Sequence, residues 1–275
     1  MKLIPDIRLG TGNTPLLFSH ANAYHPLCYN KFLSSLDIKY TIFAPLHRPF
    51  WQKEIVRLQN WDLFVNDLID YCDQQNISNI DAIGHSLGAV CFWKAKLKRP
   101  NLIGRLVMID PVILPKRLVR FNRFMPFYLK KKIVPIIKRA INRRMFWPTQ
   151  EEIVNHYKRV SVFKSFHPDS FQDFMQHGFV QHSMEGHTLA FSREWESRIY
   201  GGVENVWNFM QKDIQNATII RAEYSDVIDE HTWKIMPAQM PNVTFIQMQG
   251  VTHMLPMEKP EELATLVTDI LARPV

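Results

Sequence analysis

The chain has 275 residues, 46% of them hydrophobic and 21% charged, with a formal net charge of +7. So large an apolar fraction excludes disorder and is enough for a sizeable core, with or without an inserted domain. Its 3 cysteines, Cys28, Cys72 and Cys91, are too few and too widely spaced for a disulfide framework or a zinc site.

Cys91 reads as a buried structural thiol. Met1-Lys2-Leu3-Ile4-Pro5-Asp6 places a charge and a proline where a signal peptide needs an apolar run. No stretch approaches the ~20 apolar residues of a membrane span, so a reducing cytoplasm is the expected setting.

In chain order, residues 2–8 offer one strand. Residues 14–19 form an apolar strand, followed by the short loop His20-Ala21-Asn22-Ala23-Tyr24. A strand is predicted at 40–44, a helix at 61–74 and a buried strand at 79–83. A helix begins near Ala89, and the strand 106–109 ends at Asp110-Pro111. Strands alternating with helical patterns predict a mostly parallel, doubly wound α/β sheet with right-handed crossovers.

From about 113 to 204 the alternation stops, and helical spacing replaces it with no clear buried strand. Thr149 is expected to cap a helix there, with Glu152 at the capping-box position. The rhythm returns with strands at 217–221 and 243–248 and a helix opening at Pro260-Glu261-Glu262. The expected division is an α/β core of residues 1–112 and 205–275, with residues 113–204 inserted as a helical lid.

Gly84-His85-Ser86-Leu87-Gly88 joins a buried strand to a helix. A serine on so sharp a turn is pushed out of the sheet, and bulky flanking residues would clash. Serine is a weak nucleophile near neutral pH and needs a histidine base oriented by a carboxylate. His253, on the loop after strand 243–248, is the expected base. Only His231 otherwise follows the candidate acids, and it begins an amphipathic stretch. Asp226, just beyond strand 217–221, is the expected acid, with Asp229 and Glu223 as competitors. The N–H of Leu87 is expected to face a developing oxyanion. The N–H of Asn22 is expected to be the second donor, with Ala23 as the alternative.

These motifs resemble the α/β-hydrolase fold superfamily, and within it the Ser-nucleophile members that carry a helical lid. Gly84 to Gly88 resemble the nucleophile elbow, and His20-Ala21-Asn22 resembles the His-Gly oxyanion loop, with Ala21 in place of the more frequent glycine. Asp226 and His253 match the acid and base loops, in the chain order serine, acid, histidine. A serine at the elbow argues against the branches that attack through an aspartate. The N-terminus is short for every early strand of the full fold.

The resemblance implies a serine hydrolase cleaving a small or medium apolar ester, without cofactor or metal. The same triad supports thioester, lactone, amide or carbon–carbon cleavage. A hydrolase-fold binding protein is the non-enzymatic alternative.

Between Pro111 and Gln150 there are eleven Lys or Arg and no Asp or Glu, interleaved with aliphatic and aromatic residues. Contact with an anionic membrane surface and binding of nucleic acid phosphates both fit such a run. Pro126 and Pro135 break any long helix, and no single-strand-binding pattern accompanies the charges. The favoured reading is a lid whose apolar residues face Ser86 and whose Lys130, Lys131 and Lys132 face water. Nucleic acid is therefore not an expected partner. The histidines of the second half of the insertion, His156, His167, His177, His182 and His187, match no metal spacing.

Overall fold

The computed structural model describes residues 3–36, 38–182 and 185–273; of the expectations above, the first residue of the N-terminal strand and the chain end lie outside them. The first half contains β1 (Asp6–Leu9), β2 (Thr14–Ser19), α1 (Asn30–Ser34), β3 (Tyr40–Pro45) and α2 (Asp62–Gln74). It continues with β4 (Ile80–His85), α3 (Leu87–Lys98) and β5 (Ile103–Ile109). A mainly helical segment follows: α4 (Lys116–Phe124), α5 (Phe127–Ile133), α6 (Pro135–Ile141), β6 (Phe146–Trp147), α7 (Gln150–Tyr157), α8 (Pro168–His177), β7 (Phe179–Gln181), β8 (His187–Leu189) and α9 (Arg193–Gly201). The chain then returns through β9 (Ala217–Tyr224), α10 (Glu230–Gln239), β10 (Val243–Thr252), α11 (Leu255–Glu258) and α12 (Pro260–Ala272).

The main sheet has the order β1-β3-β2-β4-β5-β9-β10. Every pairing in it is parallel except that of β1 with β3. The single early strand is thus an antiparallel edge. Inner strands are apolar on both faces, as a sheet covered on both sides requires. Leu17, Ala82, Leu106, Met108 and Ile219 belong to the core shared with α2 and α3. Leu16, Phe18, Ile83, Val107 and Ile109 belong to the core that includes the α1 and α12 residues Phe32, Leu263 and Val267.

Three short strands in the inserted segment pair in the order β6-β8-β7, in a stretch whose helical spacing shows no clear buried strand. At two or three residues each, they are too short to write a period-two pattern. Their sheet sits beside an aromatic cluster of Trp147, Tyr157, Phe163, Phe174 and Phe179, with ring centroids 4.7–6.0 Å apart. Thr149 caps α7 as expected, its Oγ1 accepting from the Glu152 N–H at 3.3 Å. The Glu152 carboxylate, however, bonds Arg144.

The basic stretch departs further from expectation. Its short helices bury Val119, Lys130, Ile137 and Ala140. The Lys130 ammonium bonds the Gly201 carbonyl at the end of α9 instead of facing water. Leu118, Phe121, Phe124, Tyr128, Leu129, Ile133 and Ile136 are exposed, so it is not only the charged residues of this stretch that face water. Helices of only seven to nine residues have room to bury one narrow stripe each.

The elbow illustrates how sequence sets backbone approach. A Cβ on Gly88 would lie 2.2 Å from the Ser19 carbonyl oxygen, and one on Gly84 would lie 2.5 Å from Ala89 Cα. Both contacts are with backbone or its immediate attachments and cannot be relieved by a rotamer change. Gly88→Ala is therefore expected to destabilise the fold by about 2–3 kcal/mol through overpacking. A lowered urea midpoint at unchanged slope checks this; an unchanged midpoint contradicts the close approach.

Candidate active site

Residue Ser86 sits between β4 and α3 with φ 58° and ψ −117°, outside the regions that L-residues favour. Strain of this kind persists only where its surroundings enforce it. Here the enforcement is the Ser86 N–H donating to the Ile109 carbonyl at 3.0 Å, together with the two elbow glycines. The side chain lies at the C-terminal edge of the sheet, above the N-terminus of α3.

His253 follows β10 directly. Its Nε2 lies 2.9 Å from Ser86 Oγ, and its Nδ1 lies 2.7 Å from Asp110 Oδ2. A carboxylate only accepts, so Nδ1 carries the proton and Nε2 is free to accept from the serine hydroxyl. The structure thus brings Ser86 and His253 together, but the carboxylate beside His253 is Asp110, not Asp226.

Asp226 is exposed and makes no hydrogen bond or ion pair among the described residues. Neither competitor reaches His253. Glu223 accepts from the Gly250 N–H at 2.7 Å, and Asp229 caps α10 through the Thr232 N–H at 2.7 Å. His231 lies exposed on α10.

The geometry explains the exchange. β5 lies between β4 and β9, and Ile109 pairs with both His85 and Ile220. The next residue along β5, Asp110, therefore stands beside Ser86 at the strand tips. Its φ of 39° turns the chain off the sheet. The carboxylate is fully buried and surrounded by donors: His253 Nδ1–H, the Ala222 N–H at 3.1 Å and the Ser225 hydroxyl at 2.9 Å. The loop after β9, where the acid was expected, instead supplies donors that hold it. Asp110 was visible in the sequence as an Asp-Pro pair closing an apolar strand next to the elbow strand; the Ser225-Asp226 loop competed for the same role.

Burial pushes the His253 imidazole pKa down. The Asp110 hydrogen bond and charge oppose this, with smaller contributions from Asp226 and Glu258, and the net result lies above the ordinary 6.5. Asp226 thus acts on His253 through space without touching it. Glu258 also clamps the base loop, accepting from the Thr252 N–H at 2.7 Å and its hydroxyl at 2.6 Å.

A second chain of hydrogen bonds, which sequence reading did not anticipate, ties the base loop to the loop after β2. His85 Nε2 donates to the His253 carbonyl at 2.9 Å. Its Nδ1 is then unprotonated and accepts the Tyr29 hydroxyl at 2.8 Å, while the Tyr29 oxygen accepts the Ala21 N–H at 3.0 Å. Burial, with the nearby His253, holds the His85 pKa well below 6.5, so this ring stays neutral. The loop is pinned again by His20, whose Nε2 accepts the His47 N–H and whose Nδ1 bonds the Ala21 carbonyl.

Ala21 N–H is therefore committed. The Asn22 and Leu87 N–H groups have no protein acceptor among the described residues, and Ala23 has φ 67°. Asn22 is buried, its Nδ2 donating to the Glu196 carbonyl of α9 at 3.2 Å. That ties the loop to the inserted segment. Tyr24 also packs on Phe174 of α8, with ring centroids 5.5 Å apart. The buried Glu196 carboxylate accepts from Arg143 Nη2 at 2.6 Å, so the wall of the inserted segment joins aromatic rings to a half-buried ion pair.

All three cysteines are buried thiols, and burial raises their pKa values. His156 packs against Trp147, His177 against His25 and His182 against Phe146.

No family model matches the chain. It is 24% identical over 179 residues to a putative esterase/lipase of Mycoplasma pneumoniae, a match covering 63% of this chain and 54% of that relative. The chain thus spans about half the length of that protein. It is 22% identical over 265 residues to the uncharacterized hydrolase YugF of Bacillus subtilis, covering 94% of this chain and 90% of that one. Among solved structures, E-2-(acetamidomethylene)succinate hydrolase superposes with a TM-score of 0.76 at 15% identity, over 98% of this chain and all of that one. Sheet order, elbow and neighbours agree that the chain has the α/β-hydrolase fold.

Proposed function

We propose that the chain is a serine hydrolase that cleaves a small or medium apolar ester through an acyl-enzyme, with Ser86, His253 and Asp110 as its triad. The observation that carries this reading is the pair of hydrogen bonds in series, Ser86 to His253 and His253 to Asp110. The resemblance of the Mycoplasma pneumoniae relative, itself named a putative esterase/lipase, supports the ester.

Ser86 Oγ attacks the ester carbonyl while His253 Nε2 takes its proton. Asp110 holds the tautomer and stabilises the imidazolium that forms. The N–H groups of Leu87 and Asn22 receive the oxyanion. His253 then protonates the leaving alkoxide, and a water deprotonated by His253 releases the acid and frees Ser86. Residues 113–204 serve as the lid over this edge, on a core of residues 1–112 and 205–275.

Labelling with a fluorophosphonate and hydrolysis of nitrophenyl esters of graded chain length test the reading. Ser86→Ala should keep the fold, abolish labelling and reduce turnover on the order of 10⁴–10⁶-fold. A wild-type chain that neither labels nor hydrolyses any of the esters contradicts it and leaves the binding protein.

The two acids separate cleanly. Asp110→Asn should cost on the order of 10⁴ in kcat by reversing the histidine tautomer. Asp226→Asn should leave kcat within a few-fold. The opposite ranking returns the acid to Asp226.

The base works only when neutral. Because the pKa of His253 lies above 6.5, the acid limb of kcat/KM should have its midpoint above that value. Asp226→Asn should move the midpoint down, by removing a distant negative charge. A wild-type midpoint below 6.5 is inconsistent with the Asp110–His253 bond.

A further inference from the structure

We propose that α4, α5 and α6 form a docking face for an anionic phospholipid bilayer. Seven large apolar residues stand exposed on these three consecutive helices. Phe124 is 82% exposed, Phe121 and Tyr128 are each 61%, and Ile133 is 56%, with Leu118, Leu129 and Ile136 beside them. The three helices converge on Gly201, through Asn122, Lys130 and Ile137; single exposed hydrophobes are ordinary on a protein surface, but this many on helices gathered at one place mark an interaction site.

The charges around that face choose the partner. Lys116, Arg117, Arg120, Arg123, Lys131, Lys132, Lys138 and Arg139 are exposed among the apolar tips, and the stretch from Pro111 to Gln150 contains no acid. Elsewhere in the chain the other 22 basic residues are outnumbered by all 26 acidic ones. The positive charge of the molecule is therefore gathered on this one face. Such a face is drawn to an anionic leaflet, and its apolar tips then enter the boundary between headgroups and acyl chains.

A second copy of the chain is a poor occupant, since a two-fold interface would set the same basic patch against itself. A nucleic acid is a poorer match than a bilayer, because such interfaces are mainly polar and this one is studded with Leu, Ile and Phe. Among the described residues no helix is long and apolar enough to cross a membrane, so contact is limited to one leaflet. The face is held to the body through buried Ile137 and Ala140, through Lys130 on Gly201, and through Phe127 under the Arg198 guanidinium at 3.9 Å. All four anchors leave the exposed tips free.

The proposal does not depend on the hydrolase reading. Its test is sedimentation with vesicles of phosphatidylcholine, with and without phosphatidylglycerol, at low and high salt. The full chain should pellet with the phosphatidylglycerol vesicles at low salt, stay in solution with phosphatidylcholine alone, and dissociate as salt rises.

Arg120→Gln with Arg123→Gln should weaken binding by at least about tenfold, since each basic residue at the surface contributes about a fivefold factor. Phe121→Ser with Phe124→Ser should weaken it by about tenfold or more while leaving the salt dependence in place. These side chains are exposed, so both variants should melt as the wild type does and hydrolyse a soluble ester equally well. Three results overturn the proposal: wild-type protein left in the supernatant with phosphatidylglycerol vesicles at low salt, full binding by the phenylalanine variant, or tighter binding to duplex DNA than to the vesicles.

Discussion

A carboxylate with no access to water has to be surrounded by donors, and in this chain Asp110 organises the C-terminal edge of the sheet for that reason. Its acceptor sites draw in the His253 ring, the Ala222 amide and the Ser225 hydroxyl. Those three groups come from β9, the loop after it and the loop after β10, so one buried charge fixes two loops against the tip of β5. The Ser86 N–H bonded to Ile109 locks the fourth segment beside them. Removing such a charge's partners costs far more than removing an exposed one's, because nothing replaces them in a dry site.

Around this centre the polar groups form a second tier. Ala21, Tyr29, His85 and the His253 carbonyl make a line of hydrogen bonds in which each donor has one acceptor. The line joins the loop that carries Asn22 to the loop that carries His253. The Asn22 N–H and the His253 ring are consequently positioned with respect to each other as well as to Ser86. Neutral His85 suits this place, since a cation 4.9 Å from the His253 ring would oppose protonation of that ring, which the proposed mechanism requires.

Much of this was legible in the sequence. The elbow glycines, the strand before them and the histidine after β10 are local features, and the sheet pattern followed from apolar runs spaced by amphipathic helices. The acid was not legible, because β5 and β9 are neighbours and end at the same edge. Either Asp110 or Asp226 satisfies the order serine, acid, histidine, and only tertiary register decides which carboxylate turns inward. The inserted segment misled for a related reason. Its alternation of basic and apolar residues fixes amphipathic helices, but which stripe meets the body depends on Gly201 and Arg198 of α9, some seventy residues on from the Lys130 and Phe127 that contact them. The second tier is spread over Ala21, Tyr29, His85 and His253 and has no sequence spacing to recognise.

The central claim is that the His253 ring donates to Asp110. Proton NMR of the resting protein reports this bond directly, because an imidazole Nδ1–H held by a buried carboxylate resonates far downfield of ordinary amides. The account requires that signal in the wild type and in Asp226→Asn and its loss in Asp110→Ala. A signal that survives Asp110→Ala and disappears in Asp226→Asn would contradict it.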